Sequence, residues 1–207
     1  MSGSTEIGEN LQIRGCIIYP GLLDRAAQES LVQQVRAVVR AAPLVQFQTP
    51  YGKPMTVHTT SSGEFGWTSD RSGYRYAARQ ANGAEWPAIP PVARDLWEQV
   101  SGGARSPESC LINFYAPDAK MGMHQDKDET DLTQPVVSIS LGDQGLFRIG
   151  NTTRGGITES IWLQSGDVVV LGGEGRMKYH GIDRIRPGTS TLLDKPGRLN
   201  LTMRVVT

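Results

Sequence analysis

The sequence predicts a single α+β domain in which helices pack outside a β core. The chain has 207 residues, enough for one domain with a sizeable core. Two segments with helical spacing lie before residue 103, whereas the sequence from Ser109 onward is a series of short apolar runs separated by Gly, Asp and Pro turns. Short strands with such turns are typical of an antiparallel sandwich or barrel.

Composition excludes several classes of protein. Acidic and basic residues are equal in number, 21 of each, so a wide basic surface for duplex DNA is not expected, although a local groove is. No apolar run approaches the ~20 residues that span a bilayer, and the opening "MSGSTEIGEN" lacks the pattern of a signal peptide. Cys16 and Cys110 are the only cysteines, too few for a disulfide framework. These features predict a reduced, cytoplasmic protein without a membrane segment, and a monomer is the default expectation.

The N-terminal half contains two predicted helices and one irregular stretch. Residues 1–10 are predicted to be a disordered tail, and "CIIYPG" (16–21) a strand closed by a turn. Apolar residues at helical spacing predict a helix that ends near Pro43, and "PPVARDLWEQVSG" (90–102) predicts a second helix with proline in its first turn. Residues 47–85 are rich in Gly, Ser, Thr and Tyr, which is typical of either a disordered segment or a functional cover built of hairpins.

Seven strands are predicted in the C-terminal half, residues 109–207. They are "CLINFYA", "VVSISLG", "LFRIGN", "SIWLQ", "DVVVLGG", "YHGIDRI" and "RLNLTMRVV". Their regular spacing and the absence of internal repeats indicate one β domain rather than a repeat array.

The last strand, "RLNLTMRVV", carries a polar face. Because side chains alternate along a strand, Arg198, Asn200, Thr202 and Arg204 share one face and the apolar residues share the other. One interpretation is an edge strand with its polar face in water. The other is a polar interior: two arginines six residues apart are roughly 20 Å apart at Cα, and side chains that lean inward bring the guanidiniums to about 7–8 Å, a suitable spacing for a short dicarboxylate.

Two further patterns fit the polar interior. Asn113 and Tyr115 in "LINFY" place an amide and a phenol on one strand face. His124 and Asp126 in "MHQDKDET" point the same way if the strand continues through them. One interpretation is a surface histidine beside acidic residues. The other adds a further histidine, either His58 or His180, to give a set of two imidazoles and one carboxylate. This is the ligand set of non-haem Fe(II) oxygenases, with zinc as the competing metal.

Taken together, these segments resemble the bacterial AlkB proteins, Fe(II)- and 2-oxoglutarate-dependent dealkylases of damaged nucleobases. The resemblance is carried by "LINFYAPDAKMGMHQDKDE", "GDVVVLGGEGRMKYHGI" and "RLNLTMR", with "GWTSDRSGYRY" and "WPAIPPVA" in support, and covers about residue 45 to the C-terminus. It implies a double-stranded β-helix (jelly-roll) core at 109–207, a nucleotide-recognition lid at 47–85, and one dioxygenase domain over 1–207.

The resemblance also implies a role for thirteen residues. Iron is expected on His124, Asp126 and His180, and 2-oxoglutarate on Asn113, Tyr115, Arg198, Asn200 and Arg204. Substrate contacts are expected from Trp67, which would stack on the base, and from Tyr74, Tyr76, Asp128 and Arg154. If the strand alternation continues through residue 129, His124, Asp126 and Asp128 share one face, and Lys127 and Glu129 point the other way and are not ligands.

The implied reaction consumes Fe(II), O2 and 2-oxoglutarate and removes the alkyl group from 1-methyladenine- or 3-methylcytosine-type lesions. The expected partner is alkylated single-stranded DNA with a flipped base, with double-stranded DNA and RNA as further candidates. Leu171 and Phe114 depart from the family pattern and are expected to alter the pocket. Two rival functions remain at this point: a 2-oxoglutarate oxygenase with a different substrate, and a non-catalytic nucleic-acid-binding module.

Overall fold

The fold consists of two facing β-sheets, a separate hairpin and two helices, in a computed structural model that describes residues 9–49 and 51–207. Residues 1–8 of the predicted tail therefore lie outside the described part. The strands are β1 (Leu11–Ile13), β2 (Cys16–Tyr19), β3 (His58–Gly63), β4 (Gly66–Asp70), β5 (Gly73–Ala77), β6 (Ser109–Tyr115), β7 (Met121–His124), β8 (Val136–Gly142), β9 (Gln144–Ile149), β10 (Glu159–Leu163), β11 (Val168–Leu171), β12 (His180–Arg186) and β13 (Arg198–Arg204). The helices are α1 (Arg25–Ala41), α2 (Pro91–Val100) and a 3-10 turn, Gly173–Gly175.

The two larger sheets form the jelly-roll core. The larger has the order β1-β2-β11-β8-β13-β6-β3 and the smaller the order β10-β9-β12-β7, and every pairing is antiparallel. The α+β class and the jelly-roll expectation are confirmed. The last strand is not an edge strand: β13 lies between β8 and β6, and all seven of its residues are buried.

Both helices pack on the outer face of the larger sheet. Asp24 caps α1 by accepting a hydrogen bond from the Ala27 N–H at 2.8 Å, and α2 begins with Pro91, which needs no hydrogen-bond partner for its nitrogen. Leu199, Leu201 and Met203 of β13 contact the helices. The polar residues of β13 therefore face the space between the sheets, as side-chain alternation requires.

The range 47–85 contains two different structures. The strand β3 belongs to the larger sheet, where it pairs with β6. The strands β4 and β5 form a separate two-stranded hairpin, Gly66–Ala77, which we call the lid hairpin. The range thus contains a hairpin, as one of the two expectations had it, while β3 is a strand of the larger sheet. That the hairpin acts as a cover stays a prediction.

Within the described residues, no helix is long and apolar enough to cross a membrane. Cys16 and Cys110 are both free and fully buried, and burial raises the pKa of each thiol to about 12.

These two thiols provide a test of packing. Because a buried thiol with a raised pKa forms little thiolate, the native protein is expected to react with a thiol reagent at least about 100-fold more slowly than the guanidinium-unfolded chain. Ellman's reagent should then titrate two thiols after unfolding and almost none within minutes before it. Rapid native reaction of either cysteine would contradict the core described here.

Candidate active site

The candidate metal site lies where β7 and β12 pair between the two sheets. His124 ends β7 and pairs directly with His180, the first residue of β12. Asp126 follows two residues after the end of β7. The candidate ligand atoms of these three residues lie within 4.8 Å of one another. Each histidine Nε2 approaches the Asp126 carboxylate, at 3.6 Å for His124 and 3.7 Å for His180.

Backbone contacts orient both imidazoles. His124 Nδ1 lies 2.8 Å from the Gly122 carbonyl oxygen, and His180 Nδ1 lies 3.0 Å from that of Lys178. A carbonyl accepts only from a protonated nitrogen, so both rings keep Nε2 free as a ligand atom. Gly181 lets β7 approach closely, since a Cβ there would lie 2.5 Å from the Met121 carbonyl oxygen.

The protonation states also suit a cation. Burial lowers the pKa of His180 to about 4, with a further contribution from His124, so the imidazole is neutral at pH 7. Burial alone would raise the pKa of Asp126, but the Arg204 guanidinium beside it is the largest opposing cause and holds that pKa below its usual range. A neutral imidazole and an ionised carboxylate can bind a metal without first losing a proton.

A cavity of about 930 Å³ opens from this site between the sheets. Twelve of the thirteen residues predicted for metal, 2-oxoglutarate or substrate line it, the exception being Tyr76. His58, the alternative third histidine, lies in β3 opposite Phe114 and is not in the cluster. Leu171 lines the cavity, but Phe114 does not: it lies on the helix side of β6. Phe114 therefore makes no direct contribution to the cavity lining, because alternation directs Asn113 and Tyr115 inward and Phe114 outward.

Arg198 is a buried cation without a counterion. Its side chain donates to Ser140 Oγ at 2.9 Å, while its Nε and Nη1 have no hydrogen-bond partner. No carboxylate among the described residues lies within 4.0 Å of it. Gly145 of the opposite sheet makes room for the guanidinium, since a Cβ there would lie 3.0 Å from Arg198 Nε. An unpaired buried charge is costly, so this donor set fits a bound carboxylate.

The remaining polar residues of the cavity are held in place by hydroxyl groups. Asn200 donates to Ser138 Oγ at 2.7 Å and accepts from Thr202 Oγ at 3.0 Å. Asn113 accepts a hydrogen bond from Thr59 Oγ, a residue of β3. Burial raises the pKa of Tyr115, so its phenol stays neutral. The centroid of its ring lies 5.2 Å from the Arg198 guanidinium carbon.

Arg204 is paired with carboxylates near the metal site. Its Nη2 lies 3.0 Å from Asp126 Oδ2, and its Nε lies 3.2 Å from Glu129 Oε1. Arg176 holds the same segment, since it donates to the Asp126 carbonyl at 2.5 Å and to Glu129 Oε2 at 3.0 Å. Sequence patterns gave no signal for Arg176 or for a buried Glu129. β7 ends at His124, so the alternation that we extended through residue 129 does not apply there.

The lid hairpin brings aromatic residues to the mouth of the cavity. Trp67 stacks on Tyr74 with ring centroids 5.3 Å apart, and its Nε1 donates to Asp128 Oδ2 at 3.2 Å. Arg154 lies 5.3 Å from the Tyr179 ring on the other side of the mouth. Tyr76 instead donates to Glu129 Oε1 at 2.6 Å, within the buried ion pairs.

Comparison with known proteins agrees with this geometry. The sequence profile of the 2OG-Fe(II) oxygenase superfamily matches residues 15–204. An "Alpha-ketoglutarate-dependent dioxygenase AlkB homolog" from Caulobacter vibrioides is 49% identical over 93% of this chain and 88% of its own length. A "DNA N(6)-methyladenine demethylase ALKBH1C" from Arabidopsis thaliana is 42% identical, over 52% of this chain and 27% of its own. The solved structure of OsALKBH1 superimposes with a TM-score of 0.78 at 30% identity, covering 94% of this chain and 100% of that one.

The unpaired guanidinium of Arg198 can be tested by substitution. Removal of one partner from a buried charge pair typically costs enough to weaken binding about 30-fold or more. We therefore expect Arg198→Gln to reduce the affinity for 2-oxoglutarate by at least that factor, measured by titration calorimetry with Mn(II) in the metal site.

Arg186→Gln is the matched control, because that arginine is exposed and lies over the Trp162 ring on the outside of the smaller sheet. It should bind 2-oxoglutarate as the unsubstituted protein does. Unchanged affinity in Arg198→Gln, with a normal melting temperature, would refute the assignment.

Proposed function

The chain belongs to the AlkB dioxygenases of the 2OG-Fe(II) oxygenase superfamily, and on that premise we propose that it repairs N-alkylated nucleobases by oxidative dealkylation. Enzymes of this family use Fe(II), 2-oxoglutarate and O2. The main support for the proposal is that one cavity is lined by three kinds of group. These are the His124–Asp126–His180 set, the buried Arg198, which has no counterion among the described residues, and the stacked Trp67–Tyr74 pair. Aromatic side chains on which a base can stack are typical of single-stranded nucleic-acid sites.

We assign Fe(II) to His124, Asp126 and His180. These residues offer one face of ligands and leave the remaining positions of the ion for cosubstrates. When bound, the metal would let O2 oxidise both the alkyl carbon and 2-oxoglutarate, so that the alkyl group leaves the base as an aldehyde and the cosubstrate becomes succinate and CO2. The protein residues bind, orient and shield the reactants.

The ion pairs of Arg204 indicate which end of 2-oxoglutarate lies next to the metal. Arg204 contacts Asp126, so this end of β13 lies beside the metal, whereas Arg198 lies at the other end of the strand. We therefore assign the metal-binding 2-oxo acid end of the cosubstrate to the Arg204 side. Its distal carboxylate is assigned to Arg198 and Tyr115, with Asn113 and Asn200 between the two ends. Arginine suits the distal carboxylate because its fork donates two parallel hydrogen bonds.

We assign the damaged base to the mouth of the cavity, between the metal and the Trp67–Tyr74 pair. An alkylated ring nitrogen is out of reach inside a duplex, so the base is either flipped out or already single-stranded. Stacking of the base on an aromatic ring is worth about 1–3 kcal/mol. Asp128, held by Trp67, would favour the cationic form of 1-methyladenine or 3-methylcytosine over the neutral normal base.

We place contact with the nucleic-acid backbone on the rim of the cavity. Four of the cationic residues that line the cavity are exposed: Lys53, Lys120, Lys127 and Arg154. Their local charge makes up for the neutral composition of the whole chain. We propose single-stranded DNA as the main substrate, with RNA and duplex DNA to be compared, and a monomer acting in the cytoplasm, in keeping with the two buried free thiols.

The test is a panel of oligonucleotides with 3-methylcytosine or 1-methyladenine in DNA and RNA, single- and double-stranded, incubated with Fe(II) and 2-oxoglutarate and analysed by mass spectrometry. Formaldehyde release should accompany loss of the methyl mass. His124→Ala is expected to lose activity by more than about 100-fold, because removal of a ligand exceeds the 10–100-fold typical of outer residues.

His58→Ala is the matched control, since this histidine lies outside the cavity, and it should retain activity. Activity that survives in His124→Ala would overturn the metal assignment. Succinate production with methylated peptides but not with any oligonucleotide would instead favour an oxygenase with a different substrate.

A further inference from the structure

Glu129 connects two parts of the molecule that have separate tasks in the proposed reaction. Its side chain is buried, with 2% of its surface exposed. Tyr76, in strand β5 of the lid hairpin, donates its hydroxyl hydrogen to Glu129 Oε1 at 2.6 Å. Arg204, in the central strand β13, contacts the same oxygen through Nε at 3.2 Å. One carboxylate oxygen is thus shared between the lid hairpin and an arginine assigned to 2-oxoglutarate.

The second oxygen of Glu129 holds the carboxylate in place. Arg176 Nη2 donates to Oε2 at 3.0 Å, and Arg176 also donates to the backbone at Asp126 and Gln134. The carboxylate therefore cannot follow either partner of Oε1 without breaking its bond to Arg176. Tyr76 and Arg204 consequently compete for the same fixed oxygen, so a weaker contact with one allows a stronger contact with the other.

Arg204 has two side-chain nitrogens that could donate hydrogen bonds to a newly bound ligand. Its Nη1 and Nε are buried without a hydrogen-bond partner, so the 3.2 Å contact of Nε with Glu129 is an ion-pair contact of poor hydrogen-bond geometry. Its Nη2 contacts Asp126 at 3.0 Å. A carboxylate that arrives at Arg204 can take these donors and draw the guanidinium away from Glu129.

We propose that Glu129 is a positioning residue that transmits the binding of 2-oxoglutarate to the lid hairpin. Binding at Arg204 weakens the competing contact at Oε1 and leaves this oxygen to the Tyr76 hydroxyl, whose hydrogen bond then strengthens. The lid hairpin is fixed over the cavity when the cosubstrate is present and is looser when it is absent. This inference rests on the proposed function only in assigning Arg204 to 2-oxoglutarate; it does not depend on which substrate is oxidised.

The lid hairpin has other attachments, and these set the background for a test. The Trp67 N–H donates to Ser61 Oγ at 3.1 Å, and Ser69 Oγ donates to the Gln48 carbonyl at 2.7 Å. Neither contact involves Glu129 or Arg204. Loss of the Tyr76–Glu129 bond should therefore change the response of the hairpin to 2-oxoglutarate without unfolding the hairpin.

The experiment is hydrogen–deuterium exchange of the hairpin amides, residues 66–77, in protein loaded with redox-inert Mn(II), with and without 2-oxoglutarate and without any nucleic acid. In the unsubstituted protein, 2-oxoglutarate should slow this exchange by about threefold or more, because a hydrogen bond to a charged group strengthens. Tyr76→Phe, which removes only the hydroxyl, and Glu129→Gln should each abolish the slowing while the Mn(II) protein still binds 2-oxoglutarate. The double variant should show no further loss, since both changes break one link.

Arg75→Gln is the control within the same hairpin. Arg75 is exposed and paired with Asp70 at the tip, away from Glu129, so the response to 2-oxoglutarate should persist. A purely structural bond would give faster exchange in Tyr76→Phe with the response to 2-oxoglutarate intact, and that result would overturn the proposal. A response to 2-oxoglutarate that is absent in the unsubstituted protein would overturn it as well. Failure of dealkylation in the oligonucleotide panel leaves these exchange results unaffected, so the two proposals fail separately.

Discussion

The burial of charged side chains on the central strand β13 is the constraint on which the rest of this structure depends. Arg198 and Arg204 lie between two sheets, out of contact with bulk water, and each needs an anion. Arg204 has protein carboxylates, Asp126 and Glu129, whereas Arg198 has none among the described residues. The protein thus compensates one arginine itself and leaves the other for a ligand.

This constraint also explains how the helices and the register contribute. The apolar face of β13 must also be buried. The helices α1 and α2 bury it by covering the outer face of the larger sheet. A slip of one residue in the pairing of β13 with β6 or β8 would turn the arginines toward the helices and the leucines into the cavity. Burial on both faces therefore fixes the register, and the register fixes the distance between the two guanidiniums.

Much of the site could be predicted from the sequence, because it lies on strands with regular alternation. Asn113 with Tyr115, and Arg198 with Asn200 and Arg204, are each separated by an even number of residues, and all five line the cavity. Prediction was incomplete where the regular backbone ends: Asp126 and Asp128 line the cavity as expected, but Lys127 lines it too and Glu129 is buried in ion pairs. His124 is the last residue of β7, so the direction of residues 125–129 depends on contacts with Arg176 and Arg204, which are distant in sequence. For the same reason, neither the buried Glu129 nor its bond to Tyr76 was visible in any pattern.

The first three acidic residues after β7 are Asp126, Asp128 and Glu129, and they differ in how far their charges are compensated by arginines. Asp126 and Glu129 are buried and paired with arginines, so their charges are largely neutralised within the protein. Asp128 is exposed at the mouth, has no cation within 4.0 Å among the described residues, and receives only the neutral N–H of Trp67. Of the three, Asp128 is therefore the residue whose charge is available to a substrate at the mouth of the cavity. A cationic base stacked on the Trp67–Tyr74 pair would be attracted by the charge of Asp128, whereas a neutral base would not. Because Asp128 is exposed, it needs no buried arginine to compensate its charge.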